Sequence, residues 1–264
     1  PIFTMELITS QTNRWLKCAM QLKHRKYRDK FGLFVMEGIR SVYDANDLGI
    51  EDCICFFTAR YADDSNLNQF FERAKILHWK LLLIDDKLMK LISSTEHSQG
   101  ILLIVKKEVP DPARLKNPMK GRYVLLDSIQ DPGNIGTIIR TAAAAEVKGI
   151  LLTKGCTDAY SDKAVRSSMG SILRIPVYEN ISLEFLQDLK KSGISFIGTA
   201  LKNALPYKEA NVPEDCIFVF GNEGNGISPE ILAMTDFNVY IPIAGVESLN
   251  VAIASAIILF HFKD

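Results

Sequence analysis

The chain has 264 residues with 31 basic and 31 acidic side chains, and 47% of its residues are hydrophobic. This composition is typical of a folded globular protein and excludes a disordered chain, a collagen-like fibre and a small disulfide scaffold. A formal charge of zero excludes a uniformly basic protein but leaves room for a local basic patch. At roughly 100–200 residues per domain, the length fits one large or two modest domains.

The first part of the chain alternates helix-like and strand-like segments. The patterns predict helices over 13–30, 39–48 and 67–77, and strands over 34–37, 53–58, 81–84 and 101–105. Residues 106–121 then hold three prolines and five basic side chains, which predicts a linker. We therefore expect a first domain over 1–107, a linker over 108–120 and a second domain over 121–264.

The second part repeats the alternation with shorter, wholly apolar strands, predicted over 123–127, 149–153, 196–199 and 217–221. Short apolar runs between helices are typical of a parallel sheet that is covered on both faces. Both parts are therefore predicted to be α/β. In such sheets, ligands bind beyond the carboxyl ends of the strands, so the loops that follow the strands are candidate sites.

The five cysteines are scattered, so they predict neither a disulfide framework nor a zinc site. We expect reduced, mostly buried thiols and no bound metal. The first fifteen residues lack the layout of a signal peptide, and the longest apolar run, Val251 to Phe260, is too short to span a membrane. These features predict a cytoplasmic protein.

The loop after the strand at 123–127 leads to Asn134, which we expect to cap a helix over 135–147. On a helical wheel one stripe is apolar, while Gly136, Arg140 and Ala143 lie on another side. An arginine beside such small residues can meet a ligand that approaches closely, although a capped helix with a surface arginine gives the same pattern. The predicted buried stripe is Ile135, Ile138, Ile139 and Ala142.

Two further loops carry polar groups at strand ends. Gly221-Asn-Glu-Gly224 lies in a stretch with three glycines, which permit a close backbone approach to a ligand or left-handed turns. The carboxylate of Glu223 would oppose a phosphate and suits a cationic or hydroxyl-bearing ligand. Downstream, Ile241-Pro-Ile precedes Ser248-Leu-Asn-Val251, where Ser248 or Asn250 is placed to cap an apolar helix over 251–262.

Together, Asn134-x-Gly136-x-x-x-Arg140, Gly221-Asn-Glu-Gly224 and the Ile241 to Val251 segment resemble the three motifs of the SpoU (TrmH) family, the ribose 2′-O-methyltransferase branch of the SPOUT superfamily. The resemblance covers residues 121–264 and includes the segment from Asp158 to Arg174. In the front part, Asn13, Lys17 and the run from Phe34 to Arg40 resemble the small substrate-binding domain of the ribosomal-RNA members.

The resemblance implies a fold and a cofactor that the residue patterns alone do not. It implies that S-adenosylmethionine binds in a cleft made by a deep trefoil knot, and that the catalytic domain forms a homodimer. It assigns Arg140 to activation of the 2′-hydroxyl, as a base or by holding the adjacent phosphate, and places Asn134, Glu223, Ser248 and Asn250 with it in the catalytic set. The residues expected at the cofactor are Leu201, Gly221, Glu223, Gly224, Ile241, Ile243 and Leu249.

A basic stretch near the start of the chain is a candidate RNA surface. Between Arg14 and Lys30 there are seven Lys or Arg side chains and His24 against a single acid, Asp29. Such clustering is typical of phosphate contacts, and also of a solvated helix face. The residues predicted to bind RNA are Arg14, Lys17, Lys23, Arg25, Lys26, Arg28, Arg40, Lys163 and Arg166.

These observations predict an enzyme that transfers a methyl group from S-adenosylmethionine to a ribose 2′-hydroxyl of large-subunit ribosomal RNA. Transfer RNA is an alternative substrate, and a non-catalytic RNA-binding assembly or resistance factor is an alternative function. A dinucleotide-binding oxidoreductase is disfavoured because the chain lacks its glycine signature. Two departures from the family pattern, Asn222 and the compact Ala244-Gly-Val-Glu segment, leave the position of the methylated nucleotide open.

Overall fold

The computed structural model describes residues 5–62, 64–116 and 119–263. The elements up to Lys106 are β1 (Glu6–Leu7), α1 (Arg14–Gln21), α2 (Arg25–Phe31), β2 (Leu33–Glu37), α3 (Ile39–Asp47), β3 (Ile54–Phe57), α4 (Ala59–Ala62), α5 (Asn68–Ile76), β4 (Lys80–Leu83), α6 (Asp86–Ile92) and β5 (Ile101–Lys106). Those from Arg122 onward are β6 (Arg122–Leu126), α7 (Pro132–Ala144), β7 (Ile150–Thr153), α8 (Asp162–Ser168), β8 (Val177–Ile181), α9 (Leu183–Lys191), β9 (Ser195–Thr199), β10 (Ala204–Pro206), β11 (Cys216–Phe220), α10 (Pro229–Leu232), β12 (Phe237–Tyr240) and α11 (Val251–His261).

The chain divides into two compact units. The first runs up to Glu108 and also contains Tyr160–Gly170, while the second contains Val109–Ala159 and the chain from Ser171 onward. The division differs from the expected boundaries, because Tyr160–Gly170 was expected within the second domain and instead groups with the first. The physical reason is packing: the Tyr160 ring meets the Phe34 ring edge to face at 5.0 Å, and α8 packs on β2.

The first unit is built on a five-stranded sheet in the order β1-β4-β3-β5-β2. The predicted α/β class is confirmed, but the sheet is mixed, since β5 runs antiparallel to both β2 and β3. The predicted helix over 13–30 is two helices, α1 and α2. The break falls at Leu22, whose side chain is fully buried, and at His24, whose backbone is extended. The extended backbone at His24 interrupts the helical hydrogen bonding and separates the two helices.

The second unit is built on a seven-stranded sheet whose strands are all parallel, in the order β10-β12-β9-β11-β6-β7-β8. The four predicted strands are the central ones, whereas β8, β10 and β12 were not predicted. Phe220 at the end of β11 lies opposite Leu126 at the end of β6, so the loops that follow these two strands begin side by side. Helices α9 and α10 contribute to the core against this sheet.

The five cysteines are free thiols, four of them buried and Cys18 partly buried. No helix within residues 5–62, 64–116 and 119–263 is long and apolar enough to cross a membrane. Over the same ranges, no group of His, Cys, Asp or Glu side chains is arranged to hold a metal ion.

Candidate active site

The loops after β6 and β11 are joined at the carboxyl edge of the second sheet. Asp127 follows β6, and its buried carboxylate accepts a hydrogen bond from the Ser228 backbone N–H at 2.7 Å. The next residue, Ser128, has a positive φ of 58° and donates its backbone N–H to Thr153 Oγ1 at 3.0 Å. This left-handed conformation is uncommon for a residue with a side chain, and it turns the chain sharply toward α7.

Helix α7 begins three residues earlier than predicted. Its N-cap is Asp131, whose carboxylate accepts the Gly133 N–H at 3.1 Å, and Pro132 occupies the first helical position. The prediction that Asn134 caps this helix is therefore wrong. The helix ends at Ala144 rather than 147, and Gly136 is buried rather than on an open side, since α11 packs against α7. The predicted buried stripe is confirmed: its four members, Ile135, Ile138, Ile139 and Ala142, are fully buried.

Because it is not a cap, the Asn134 side chain is available to link the second and third motifs. Its Nδ2 donates to Glu223 Oε1 at 3.1 Å, and its Oδ1 accepts from Asn250 Nδ2 at 3.0 Å. Asn250 in turn caps α11, with Oδ1 accepting the Ala252 N–H at 2.9 Å and the Ile253 N–H at 3.2 Å. A continuous hydrogen-bonded cluster, Glu223–Asn134–Asn250, thus connects three segments that lie far apart in the sequence.

Glu223 anchors one end of the cluster. Its carboxylate also accepts the backbone N–H groups of Gln130 and Asp131, each at 3.2 Å. Partial burial tends to raise the pKa of Glu223, but its hydrogen bonds, with Asn134 and these backbone groups among the donors, outweigh burial and lower that pKa below the ordinary value. The side chain is therefore a fixed carboxylate that holds the second loop against the start of α7.

Asn222 organises the loop that presents Glu223. Its Oδ1 accepts the backbone N–H groups of Gly224 at 2.9 Å and Asn225 at 3.0 Å, while its Nδ2 donates to the Ser128 carbonyl at 2.7 Å. Its backbone N–H and C=O each bond to Gly226, both at 2.9 Å. The residue that departs from the family pattern is therefore a structural link between the loops after β6 and β11.

Gly221 is required by the same loop for a steric reason. A Cβ atom at this position would lie 2.2 Å from the Gly226 carbonyl carbon and 2.2 Å from the Ile227 nitrogen. Both are backbone atoms, so the loop cannot make room for a side chain without opening. At Gly224, in contrast, a Cβ would meet only Asn222 Oδ1, at 3.6 Å.

Arg140 and Ser248 lie outside the hydrogen-bonded cluster. Arg140 is exposed in the middle of α7, six positions after Asn134, which places the two side chains on different faces of the helix. Ser248 is exposed and does not cap α11. Within the described residues, no hydrogen bond joins either side chain to Glu223, Asn134 or Asn250. The structure thus brings together three of the five predicted catalytic residues.

The residues predicted to bind the cofactor follow β9, β11 and β12, which are neighbouring parallel strands whose carboxyl ends share one edge of the sheet. Leu201, beyond the end of β9, is 78% exposed, and Ile243, beyond β12, is 40% exposed, while Ile241 and Leu249 are half-buried. Exposed aliphatic side chains beside a glycine-rich backbone suit a ligand with flat apolar faces and a polar edge, such as adenine. Glu223 and Gly224 are also exposed, and Gly221 lies at the base of their loop.

The predicted RNA-binding residues differ in burial: Arg28 is buried, Arg166 is partly buried and the other seven are exposed. Arg28 is only 5% exposed and donates Nη1 to the Leu22 carbonyl at 2.7 Å, so its prediction as a phosphate contact is wrong: this guanidinium supports the break between α1 and α2. Lys23 bonds the carbonyls of Leu91 and Ser93 at the end of α6, and Arg166 donates to Ser94 Oγ at 2.6 Å. The exposed members are Arg14, Lys17, Lys23, Arg25, Lys26, Arg40 and Lys163.

Sequence reasoning missed Asp127, Asp131 and Asn222. For Asp131 a signal was present, because an Asp directly before a Pro is typical of a helix start with proline at the first helical position. For Asp127 and Asn222 the partners lie 101 and 94 positions away in the chain, so no local pattern indicates their roles.

Comparison with known proteins gives matches over both parts of the chain. Residues 121–260 match the SpoU rRNA Methylase family, and residues 13–103 match the MRM3-like substrate binding domain. The chain is 33% identical over 261 residues to the 23S rRNA (guanosine(2553)-2′-O)-methyltransferase RlmP of Bacillus subtilis, covering 98% of this chain and 100% of that protein. It is 30% identical to the mitochondrial rRNA methyltransferase 3A of Danio rerio, covering 94% of this chain and 68% of that protein.

Among solved structures, the chain is similar to the AdoMet-bound rRNA methyltransferase from Sinorhizobium meliloti, with a TM-score of 0.85 and 30% sequence identity. That similarity covers 97% of this chain and 96% of the other. It therefore extends over both units.

Proposed function

Since the chain belongs to the SpoU rRNA Methylase family, we propose that it transfers the methyl group of S-adenosylmethionine to a ribose 2′-hydroxyl of large-subunit ribosomal RNA. The observation that carries the proposal is the Glu223–Asn134–Asn250 cluster, which joins the three motifs at one edge of the sheet. The similarity over nearly the whole chain to a 23S rRNA methyltransferase supports ribosomal RNA as the substrate, and residues 13–103 match a substrate-binding domain.

The residues around the second loop fit S-adenosylmethionine. We infer that Leu201 and Ile243 contact the faces of the adenine, while the backbone of residues 221–224 reads its polar edge, as Gly224 leaves room for a close approach. When bound, the cofactor supplies an electrophilic methyl group on a positively charged sulfur. The ionised Glu223 adds negative charge to this edge of the sheet, which suits a cation.

Arg140 acts on the RNA side of the reaction. A guanidinium gives up its proton only very reluctantly, so Arg140 is a poor general base. We infer that it holds the phosphate next to the target ribose, with its planar fork on two phosphate oxygens, and that this phosphate takes the proton of the 2′-hydroxyl. The cluster around Asn134 fixes the start of α7, and thereby the helix that carries Arg140.

A methyl-transfer assay tests the proposed function. Wild type, Arg140→Ala and Arg140→Lys are incubated with unmodified total RNA and tritiated S-adenosylmethionine, with Arg114→Ala as an exposed-arginine control. We expect label in large-subunit ribosomal RNA at one alkali-resistant linkage, and a loss of about 100-fold or more in both Arg140 variants but not in the control. Label confined to transfer RNA or to a base, or no transfer by the wild type, would contradict the proposal.

We also propose that the chain forms a homodimer through α11. Ile253, Ile257 and Phe260 recur at helical spacing on one face, with Ile253 53% and Phe260 51% exposed, and an exposed apolar stripe of this kind is typical of an interface. Light scattering at micromolar concentration should give a dimer for the wild type and a monomer for Phe260→Glu. A monomeric wild type would contradict this proposal, while the trefoil knot and the cytoplasmic location stay predictions.

A further inference from the structure

A basic cleft of about 640 Å³ opens in the second unit between the C-terminal half of α7 and the segment that leads into β8. Its polar lining consists of Arg140, Glu146, Lys148, Ser171 and Arg174. A volume in this range accommodates a ligand of nucleotide size. The basic cleft is thus large enough to hold part of a nucleic-acid strand.

The basic cleft is separate from the loops proposed to hold the cofactor. Lys148 comes two residues before β7 and Arg174 three residues before β8, so both lie at the amino ends of their strands. The Glu223–Asn134–Asn250 cluster lies instead at the carboxyl ends. Helix α7 connects the two places, because it carries Asn134 in its first turn and Arg140 where the basic cleft begins.

The charges of the basic cleft favour a polyanion. Three cationic side chains, Arg140, Lys148 and Arg174, face a single carboxylate, that of Glu146. Glu146 Oε1 lies 3.7 Å from Lys263 Nζ, so an additional cation offsets its charge. The exposed surroundings keep the energy of any one contact small, but several cations together attract a chain of phosphates and release its counterions.

Local packing also restricts the cationic side chains. A Cβ atom at Gly121 would lie 2.9 Å from Lys148 Cγ, which shows that the lysine stem runs directly over the glycine backbone. The Arg174 backbone N–H donates to the Ser171 carbonyl at 2.9 Å, which fixes the turn that presents the guanidinium. Such restraint lowers the entropy cost of ordering long side chains on a ligand.

We propose that the basic cleft binds the phosphodiester backbone of the substrate RNA beside the phosphate held by Arg140, with Lys148 and Arg174 as the further phosphate contacts. The inference rests on the proposed function, and adds to it the path of the RNA along α7.

The test uses the full chain with Lys148→Ala, Arg174→Ala and the double variant, and Lys191→Ala as a control, since Lys191 is an exposed lysine on α9 outside the basic cleft. Binding of a large-subunit ribosomal RNA transcript is measured over a series of salt concentrations, together with kcat, KM for RNA, and the Kd for S-adenosylmethionine. Thermal unfolding establishes that each variant is folded.

We expect each single variant to raise the Kd and the KM for RNA about fivefold, with kcat and the cofactor Kd unchanged. The slope of log K against log salt should fall by about 0.7 for each lost phosphate contact to single-stranded RNA. Lys148→Arg, which keeps the charge, should bind RNA as the wild type does. Variants that match Lys191→Ala in RNA binding and salt dependence, or that lower kcat at an unchanged KM, overturn the inference. Failure of the proposed function is a different result, namely a wild type that transfers no methyl group.

Discussion

Replacing Asn134 by Asp tests the Glu223–Asn134–Asn250 cluster by exchanging an amide for a carboxylate of the same shape. Asn134 Nδ2 lies 3.1 Å from Glu223 Oε1, and in the variant an oxygen takes the place of that nitrogen. Rotating the new carboxylate does not reduce its repulsion with Glu223, because both of its terminal atoms are oxygens. At 3.1 Å and an effective dielectric constant of about 20, two unit charges repel by about 5 kcal/mol. Glu223 is exposed, so solvent reduces this to about 2–3 kcal/mol.

The repulsion depends on pH in a defined direction. At pH 8, above the raised pKa that mutual repulsion gives the pair, both groups are charged and the folded state of Asn134→Asp is destabilised. As the pH falls, the folded variant takes up one proton before the unfolded chain does, because repulsion raises the pKa of the pair in the folded state. The deficit in stability relative to wild type is therefore largest at pH 8 and shrinks toward pH 5.

Thermal unfolding of wild type, Asn134→Asp and Asn211→Asp measures this deficit. Asn211 is an exposed asparagine before β11, so its variant adds the same charge without a carboxylate partner. At about 2–4 °C for each kcal/mol, Asn134→Asp should melt about 5–10 °C below wild type at pH 8, and Asn211→Asp within about 1 °C of it. A deficit equal at pH 8 and pH 5, or no larger than that of Asn211→Asp, would refute the reasoning.

Three further predictions concern the loop after β11. Gly221→Ala should lower the free energy of unfolding by about 3 kcal/mol or more, since its Cβ would lie 2.2 Å from two backbone atoms. Gly224→Ala, the control, should be nearly neutral, and thermal unfolding of the two variants tests the difference. Asn222→Asp keeps the acceptor of its turn but loses the donor to Ser128, and calorimetry should show an S-adenosylmethionine Kd about fivefold higher, as expected for one hydrogen bond. Glu223→Gln should be less stable than wild type at pH 6, and this difference in stability should narrow toward pH 3. The reason is that the lowered pKa of Glu223 contributes stability that is lost as the carboxylate is protonated. A stability difference that is the same at both pH values would contradict this prediction.

The sequence pattern located the centre of the second sheet and missed its edges. The predicted strands β6, β7, β9 and β11 are buried on both faces, and burial demands the continuous apolar runs that identify them. The missed strands carry polar residues, as in Val177-Tyr-Glu-Asn-Ile of β8, or a proline, as in β10. They lie at or next to an edge of the sheet, where a strand can carry polar side chains on one of its faces.

The site could be predicted as a set of residues but not as a set of contacts. The three motifs identify Asn134, Glu223 and Asn250, yet capping rules alone assigned Asn134 to a role that Asp131 fills. Asn134 and Glu223 are 89 positions apart, and their hydrogen bond depends on the parallel register of β6 and β11. Charge counting likewise included Arg28, because the count does not reveal that its guanidinium is buried against the Leu22 carbonyl.

The grouping of Tyr160–Gly170 with the first unit makes the chain interleaved rather than tandem. The backbone passes between the units three times, after Glu108, Ala159 and Gly170, whereas two successive modules would require one passage. A fragment that starts at residue 121 would carry α8 without β2, leaving the buried Tyr160 and Val165 facing water. Removal of the front region alone would therefore leave an exposed apolar patch on α8.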